Sequence, residues 1–232
     1  MKKFIRLIAV ACLAAFIAAC GGGGSDGPPP PVTSTEIFQV RTAYVNYFND
    51  SRSLPFTISG TFSGVSISGN GVLTQSSVTN GTFEGAPVLQ KVNTVTATVV
   101  ANGSSAPLAV SSTSYADSNY VPKGSSNGEY RVVMSAVNIP VTAMVNDTGI
   151  WFNENVYSAS DKASLLGTSS TSFVMLPDTA STAILKIIQT DKDTFGGVVM
   201  ISTITFKMTP SGGLTRLSES SVGNGMTLTF TY

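Results

Sequence analysis

Met226-Thr227-Leu228-Thr229-Phe230-Thr231-Tyr232 sets a large apolar side chain against a threonine at every step. A β-strand points successive side chains to opposite faces, so this stretch has one oily face and one hydroxylated face. The same period recurs upstream. Val95, Ala97 and Val99 alternate with Thr94, Thr96 and Thr98, and Phe56 and Ile58 alternate with Thr57 and Ser59. Met200, Ser202, Ile204, Phe206 and Met208 share one parity. One dry face and one wet face is the demand of an antiparallel sheet packed on a core. Threonine suits the wet side because its branched Cβ fits the pleat.

Turn signals punctuate the runs. Gly69-Asn70-Gly71, Asn80-Gly81, Asn102-Gly103, Asn127-Gly128, Gly196-Gly197 and Gly223-Asn224-Gly225 fall between alternating segments and predict ten to twelve strands joined mostly by hairpins. Before them, Thr33-Ser34-Thr35-Glu36 fits a capping box, and Ile37, Val40, Tyr44, Val45 and Phe48 follow at helical spacing. The expected fold is therefore all-β: an antiparallel β-sandwich or half-barrel with one N-terminal amphipathic helix ending near Asn49.

Composition narrows the chemistry. The chain has 232 residues, 13 basic and 13 acidic side chains, no histidine and two cysteines. Serine and threonine make up a quarter of it, 58 residues, so hydroxyls rather than charges keep the surface wet. Without histidine, every catalytic scheme or metal site that needs an imidazole is excluded. No basic run exists, which argues against nucleic acid as a partner. Gly124-Ser125-Ser126-Asn127-Gly128 has the G-x-S-x-G spacing of a nucleophile elbow, but Ser126 has no histidine base and stands among hairpins. Asp191-Lys192-Asp193-Thr194-Phe195-Gly196 starts like a calcium loop, yet Phe195 occupies the fifth ligand position and Ser202 the twelfth. A charged turn is the better reading. No cofactor and no metal are expected.

The N-terminus speaks of address. Lys2, Lys3 and Arg6 precede an apolar stretch from Leu7 to Ala19, too short to span a bilayer and laid out as a secretory signal. It ends Ile17-Ala18-Ala19-Cys20, followed by a glycine run. This resembles the lipobox of bacterial lipoproteins, and residues 1–31, with the helix, the hairpins and the runs Asp147-Thr148-Gly149-Ile150-Trp151 and Pro177 to Ala183 more loosely, are similar to uncharacterised envelope lipoproteins of Gram-negative bacteria. The resemblance implies cleavage between Ala19 and Cys20, thioether lipidation of Cys20 and acylation of its new amino group. Several acyl chains suffice for stable anchoring without a membrane span. It also implies an outer-membrane location, since Gly21 rather than Asp follows the cysteine. Residues 1–19 are then the signal peptide, 20–34 the lipidated cysteine with its Gly/Pro-rich tether, and 35–232 a single β-rich periplasmic or surface domain. With Cys12 in the leader and Cys20 bearing lipid, that domain has no disulfide.

A ligand site is less sharply marked. Gly149 to Tyr157 carries the only tryptophan. As a regular strand it would set Trp151, Asn153, Asn155 and Tyr157 on one face, aromatic rings beside carboxamides, which is the equipment for stacking on a glycan. Glu154 and Glu84 are the acids placed to point inward, and Arg131 is a possible partner for Glu154. The leading expectation is a non-enzymatic envelope protein with a binding or structural role, its partner a glycan or envelope protein. One alternative is a carrier or chaperone for a lipid or other apolar molecule, which requires a pocket among strands and helix. The other is a carboxylate-dependent hydrolase of envelope polysaccharide, which requires two acids in one cleft.

Overall fold

The computed structural model describes residues 33–232. Cys20, the Ala19–Cys20 cleavage site and most of the tether lie outside them. One helix, α1 (Val40–Asn49), precedes thirteen strands. These are β1 (Arg52–Phe62), β2 (Val65–Gln75), β3 (Thr79–Phe83), β4 (Ala86–Ala101), β5 (Ser104–Ala116), β6 (Pro122–Ser126) and β7 (Tyr130–Val133). There follow β8 (Thr148–Tyr157), β9 (Leu165–Pro177), β10 (Ala183–Asp193), β11 (Val198–Met208), β12 (Leu214–Gly223) and β13 (Met226–Thr231).

Nearly every strand pairs antiparallel with its sequence neighbour, and β13 returns to pair with β1. The sheet then closes. β4 is long enough to give Asn93–Ala101 to β2 and Ala86–Gln90 to β3, so β2 and β3 act as one interrupted strand along its edge. The result is a closed twelve-strand antiparallel barrel, where the sequence predicts a sandwich or an open half-barrel. The all-β class stands and the architecture differs, because alternation marks which face is dry without saying whether first and last strands meet. Closure rests on the β2–β4 pairing, and the one strand with a partner on a single side, β3, is only five residues long, a short edge that offers little template for aggregation.

The dry face is the barrel interior. Phe56, Ile58, Met226, Leu228 and Phe230 are buried, while Thr57, Ser59, Thr61, Thr227 and Thr231 on the alternate positions are exposed or half-exposed. Phe56 meets Phe230 edge-on at 5.3 Å, and with Ile67, Leu73 and Met200 they form a solid cluster along the β1–β2–β13 side. Gly71 makes that density possible: a Cβ there would lie 2.7 Å from Phe56 Cζ and 2.6 Å from Ala97 Cβ.

A second cluster forms at the end covered by α1. Phe38, Val40, Ala43, Met175, Leu185, Phe206 and Met208 are almost entirely buried there. The helix begins at Val40, later than the capping box at Thr33 to Glu36 predicts. Phe38 exchanges backbone hydrogen bonds with Ala143, at 2.9 and 3.0 Å, which holds the chain extended up to Gln39. Ser34 Oγ instead accepts the Glu36 N–H at 3.2 Å. At the other end Lys91 donates to the carbonyls of Tyr47 (2.8 Å) and Asp50 (2.5 Å). A cation at a helix C-terminus complements both the orphan carbonyls and the dipole, and this contact ties α1 to β4.

Candidate functional site

Beneath α1 the barrel is not filled. A cavity of about 270 Å³ lies between the helix and the walls built by β4–β6 and β8–β12. Every lining side chain is buried or half-buried. One part of the lining is aromatic and aliphatic: Tyr44, Tyr47 and Phe48 from α1, Trp151 and Phe152 from β8, Leu185, Ile187, Ile204 and Phe206 from β10 and β11. The other part is polar, with Gln75, Lys91, Asn93, Ser114, Ser125, Glu154, Thr171 and Gln189.

Three polar groups in this lining have no protein partner. Gln75 donates through Nε2 to Asn93 Oδ1 at 2.9 Å, but its Oε1 is buried and accepts nothing. Trp151 is 3% exposed and its Nε1–H is unpaired. Glu154 is 6% exposed, and among the described residues nothing donates a hydrogen bond to its carboxyl group. Burial pushes its pKa up to about 7, opposed by the charge of Arg131 and reinforced by that of Asp191. Six side-chain atoms among the described residues are buried without a partner, and two of them, Gln75 Oε1 and Trp151 Nε1, border this void together with the donor-less Glu154 carboxyl group; a ligand in the void could satisfy all three.

Behind Glu154 lies an ionic septum. Arg131, 5% exposed on β7, grips Asp191 of β10 through two hydrogen bonds of 2.9 Å and also donates to Glu129 at 2.9 Å. Burial works against the Asp191 carboxylate, but the hydrogen bonds and charge of Arg131 outweigh it and hold the pKa below its ordinary value. Gln189 donates to the same carboxylate at 3.0 Å. Beyond the septum a smaller cavity of about 160 Å³ is lined by Arg131, Asp191, Asn127, Leu166, Lys192 and Asn224 among others. Arg131 and Asp191 therefore face the far chamber, and Glu154 faces the chamber beneath the helix. Lys91, 3% exposed, bounds that chamber on β4; burial, with the charge of Arg52 acting the same way, lowers its pKa to about 8 against the pull of Asp50.

The face read from Gly149 to Tyr157 is divided by the structure. A bulge between Ile150 and Phe152 shifts the register against β9, so Trp151 turns into the barrel. Asn153 is exposed, and Asn155 and Tyr157 are half-buried neighbours joined by a 3.1 Å hydrogen bond. The four residues do not form one surface. Glu84 is likewise not inward: it sits in the β3–β4 turn, pairing with Lys162 and accepting from Tyr130 Oη at 2.7 Å. Glu154 does point inward within the field of Arg131, but the bidentate partner of Arg131 is Asp191, which the sequence assigns to a charged turn. That turn belongs to Asp193, whose Oδ1 accepts the N–H groups of Phe195 and Gly197, each at 2.9 Å. Ser126 lies at the end of β6 within hydrogen-bond distance of Tyr115 Oη (3.3 Å), where the β6–β7 hairpin turns. Gln75, Lys91 and the α1 aromatics carry no sequence signal of a site.

No protein-family model, no curated protein and no solved structure matches this chain.

Proposed function

We propose that the protein is a non-enzymatic carrier of a small, largely apolar molecule, held in the chamber beneath α1. The observation that carries this reading is the void itself, with the unpaired Gln75 Oε1, Trp151 Nε1 and Glu154 carboxyl on its wall. A cavity engineered into a protein core at about 150 Å³ accepts benzene, so about 270 Å³ suits a compact one- or two-ring molecule of roughly a dozen heavy atoms. A full-length acyl chain is too long for it, which narrows the lipid-carrier alternative to compact ligands.

The hydrolase reading finds less support. Asp191 has both carboxylate oxygens committed to Arg131 and faces the other chamber from Glu154. The two acids therefore do not flank one scissile bond. Glycan binding by Trp151 loses its basis with Trp151 inside the barrel. The outward threonines of β4 and β13 are the reverse of a membrane-spanning barrel, whose outer face is apolar. The reading we favour is a water-facing barrel hung from an outer membrane by lipid on Cys20. Cys20→Ser is expected to abolish incorporation of labelled fatty acid; undiminished labelling would remove the anchor from the proposal.

Trp151 is the sole tryptophan, so its emission reports on the chamber. Titration with 1-naphthylmethanol should change that emission saturably and raise the melting temperature, since a ligand at 100 times its Kd adds about 2.7 kcal/mol to the folded state. Palmitate should do neither. Thr171→Phe, which pushes a ring into the void, should abolish the response. No response from the unmodified chain to any compact aromatic molecule would overturn the reading.

A further inference from the structure

The charges around the chamber specify the ligand of the proposed carrier more narrowly, an inference that rests on the carrier reading. Arg131 is the one cation of the septum, and three carboxylates surround it: Asp191, Glu129 and Glu154. Its Nη hydrogens go to Asp191 and Glu129. Glu154 receives only the field of that guanidinium and turns its carboxyl group to the chamber without a donor. The opposite charge in the chamber, Lys91, is spent on the carbonyls of Tyr47 and Asp50. The wall beside Glu154 thus has an excess of negative charge and a surplus of acceptors.

The chamber that Glu154 lines is also bordered by aromatic rings. Tyr44 and Trp151 meet edge-on at 6.2 Å, and Phe152 follows Trp151 on β8. Ring faces attract a cation through their quadrupole, and more strongly where water is excluded. A buried carboxylate lacking a donor, in a chamber also lined by aromatic rings, is the complement of an ammonium group on an apolar body.

We infer that the ligand of this chamber is a compact organic amine, its ammonium group paired with Glu154 and its apolar body packed against Tyr44, Trp151 and Phe152. The Gln75 Oε1 and Trp151 Nε1 groups offer one further acceptor and one donor to any hydroxyl or carbonyl on that body.

This pairing makes binding depend on pH. The titratable and charged groups around Glu154 are Arg131 and Glu129 from the β7 side, Asp191 on β10, Lys91 on β4, Tyr115 on β5, and Tyr44 and Tyr47 on α1. Asp191 stays ionised well below neutrality and burial holds the Tyr44 phenol neutral; Lys91, lowered to about 8, is already mostly charged below pH 7.5, so Glu154 is the group whose charge changes most between pH 6 and 7.5. An ammonium ligand needs it ionised. Affinity should therefore fall as pH drops through 7, by roughly tenfold from pH 8 to pH 6.

Calorimetric titration of the full chain with three probes of one shape separates the possibilities: 1-naphthylmethylamine, 1-naphthylmethanol and 1-naphthoate. At pH 8 the amine should bind at least tenfold more tightly than the alcohol, and the carboxylate most weakly. Glu154→Gln should remove the preference for the amine and its dependence on the ionisation of Glu154, while a far-UV circular dichroism spectrum and a cooperative melt like those of the wild type certify that the variant folds. Equal affinities for amine and alcohol, or a preference surviving in Glu154→Gln, would overturn the amine assignment with the carrier reading intact. Binding of none of the three would overturn both.

Discussion

Two regions of one barrel interior are built by the same alternating strands and end differently. Along β1, β2 and β13 the inward side chains interlock: Phe56, Phe230 and Leu228 are each about 5% exposed or less, and Gly71 admits the Phe56 ring with no room to spare. Beneath α1, inward positions of β8–β11 carry residues of comparable bulk, yet about 270 Å³ is left open among them. The polar share of that void's lining invites water or ligand. The first region shows that this architecture can be packed solid. The second is therefore open because of the residues placed there, buried polar groups that a close-packed core avoids.

Truncation of one aromatic in each region tests the contrast most sharply. Phe230→Ala removes a ring packed on all sides and should destabilise the fold by about 3–5 kcal/mol. Phe152→Ala removes a half-buried ring that already borders empty space, so fewer contacts are lost, and the cost should stay below about 2 kcal/mol. Urea denaturation measures both. Equal losses would mean that the chamber is as tightly packed as the opposite side and that the comparison fails.

Next in size is the effect of the buried acid. The pKa of Glu154 is raised from 4.5 to about 7 by folding, so between these values the native state holds a proton that the unfolded chain has released. The unfolded state binds fewer protons there, and stability declines as pH rises from 4.5 to 7, then levels off. The loss is at most about 3–4 kcal/mol, because a tenfold difference in proton affinity between the two states is worth about 1.4 kcal/mol. Asp191 works in the opposite sense and in another window: its lowered pKa removes stability only as pH falls below 3.8. Glu154→Gln should flatten the profile between pH 5 and 7 and be the more stable protein at pH 8. A wild-type profile already flat in that range would show that Glu154 has a partner or ready access to water.

The contrast also explains how much of the molecule is legible in the chain alone. Met226 to Tyr232 and Val95 to Val99 declare their dry faces because alternation is a property of consecutive residues. Closure depends on β2 meeting β4, a pairing that no local pattern encodes. Simple alternation misplaces Trp151 because a single bulge after Ile150 resets the parity of β8. Asp191 resembles part of a turn because Asp193 two residues on truly is; only the strand register, which sets β10 beside β9 and brings Arg131 across the barrel, tells them apart. The helix is legible as an amphipathic stripe, but its start is not, since Phe38 is claimed by Ala143, a hundred residues away. The chamber is the least legible part. A void is defined by what side chains from many strands fail to fill.

The smallest expected effect probes whether the orphaned polar groups are penalties in the empty protein. Gln75→Met keeps the length of the side chain, gives up the 2.9 Å hydrogen bond to Asn93 and removes the unpaired Oε1. The lost bond is worth about 1 kcal/mol, and an unsatisfied buried acceptor costs about 1–3 kcal/mol. The balance favours the variant by up to about 2 kcal/mol, each kcal/mol raising the melting temperature by about 2–4 °C for a domain of this size. The gain should vanish when both proteins are saturated with a ligand that donates a hydrogen bond to Gln75, because wild type then satisfies the oxygen and the variant cannot. A fall of several degrees in the empty variant would mean that Oε1 is already served by bound water, and the chamber would then be a hydrated part of the core rather than a site held open for a ligand.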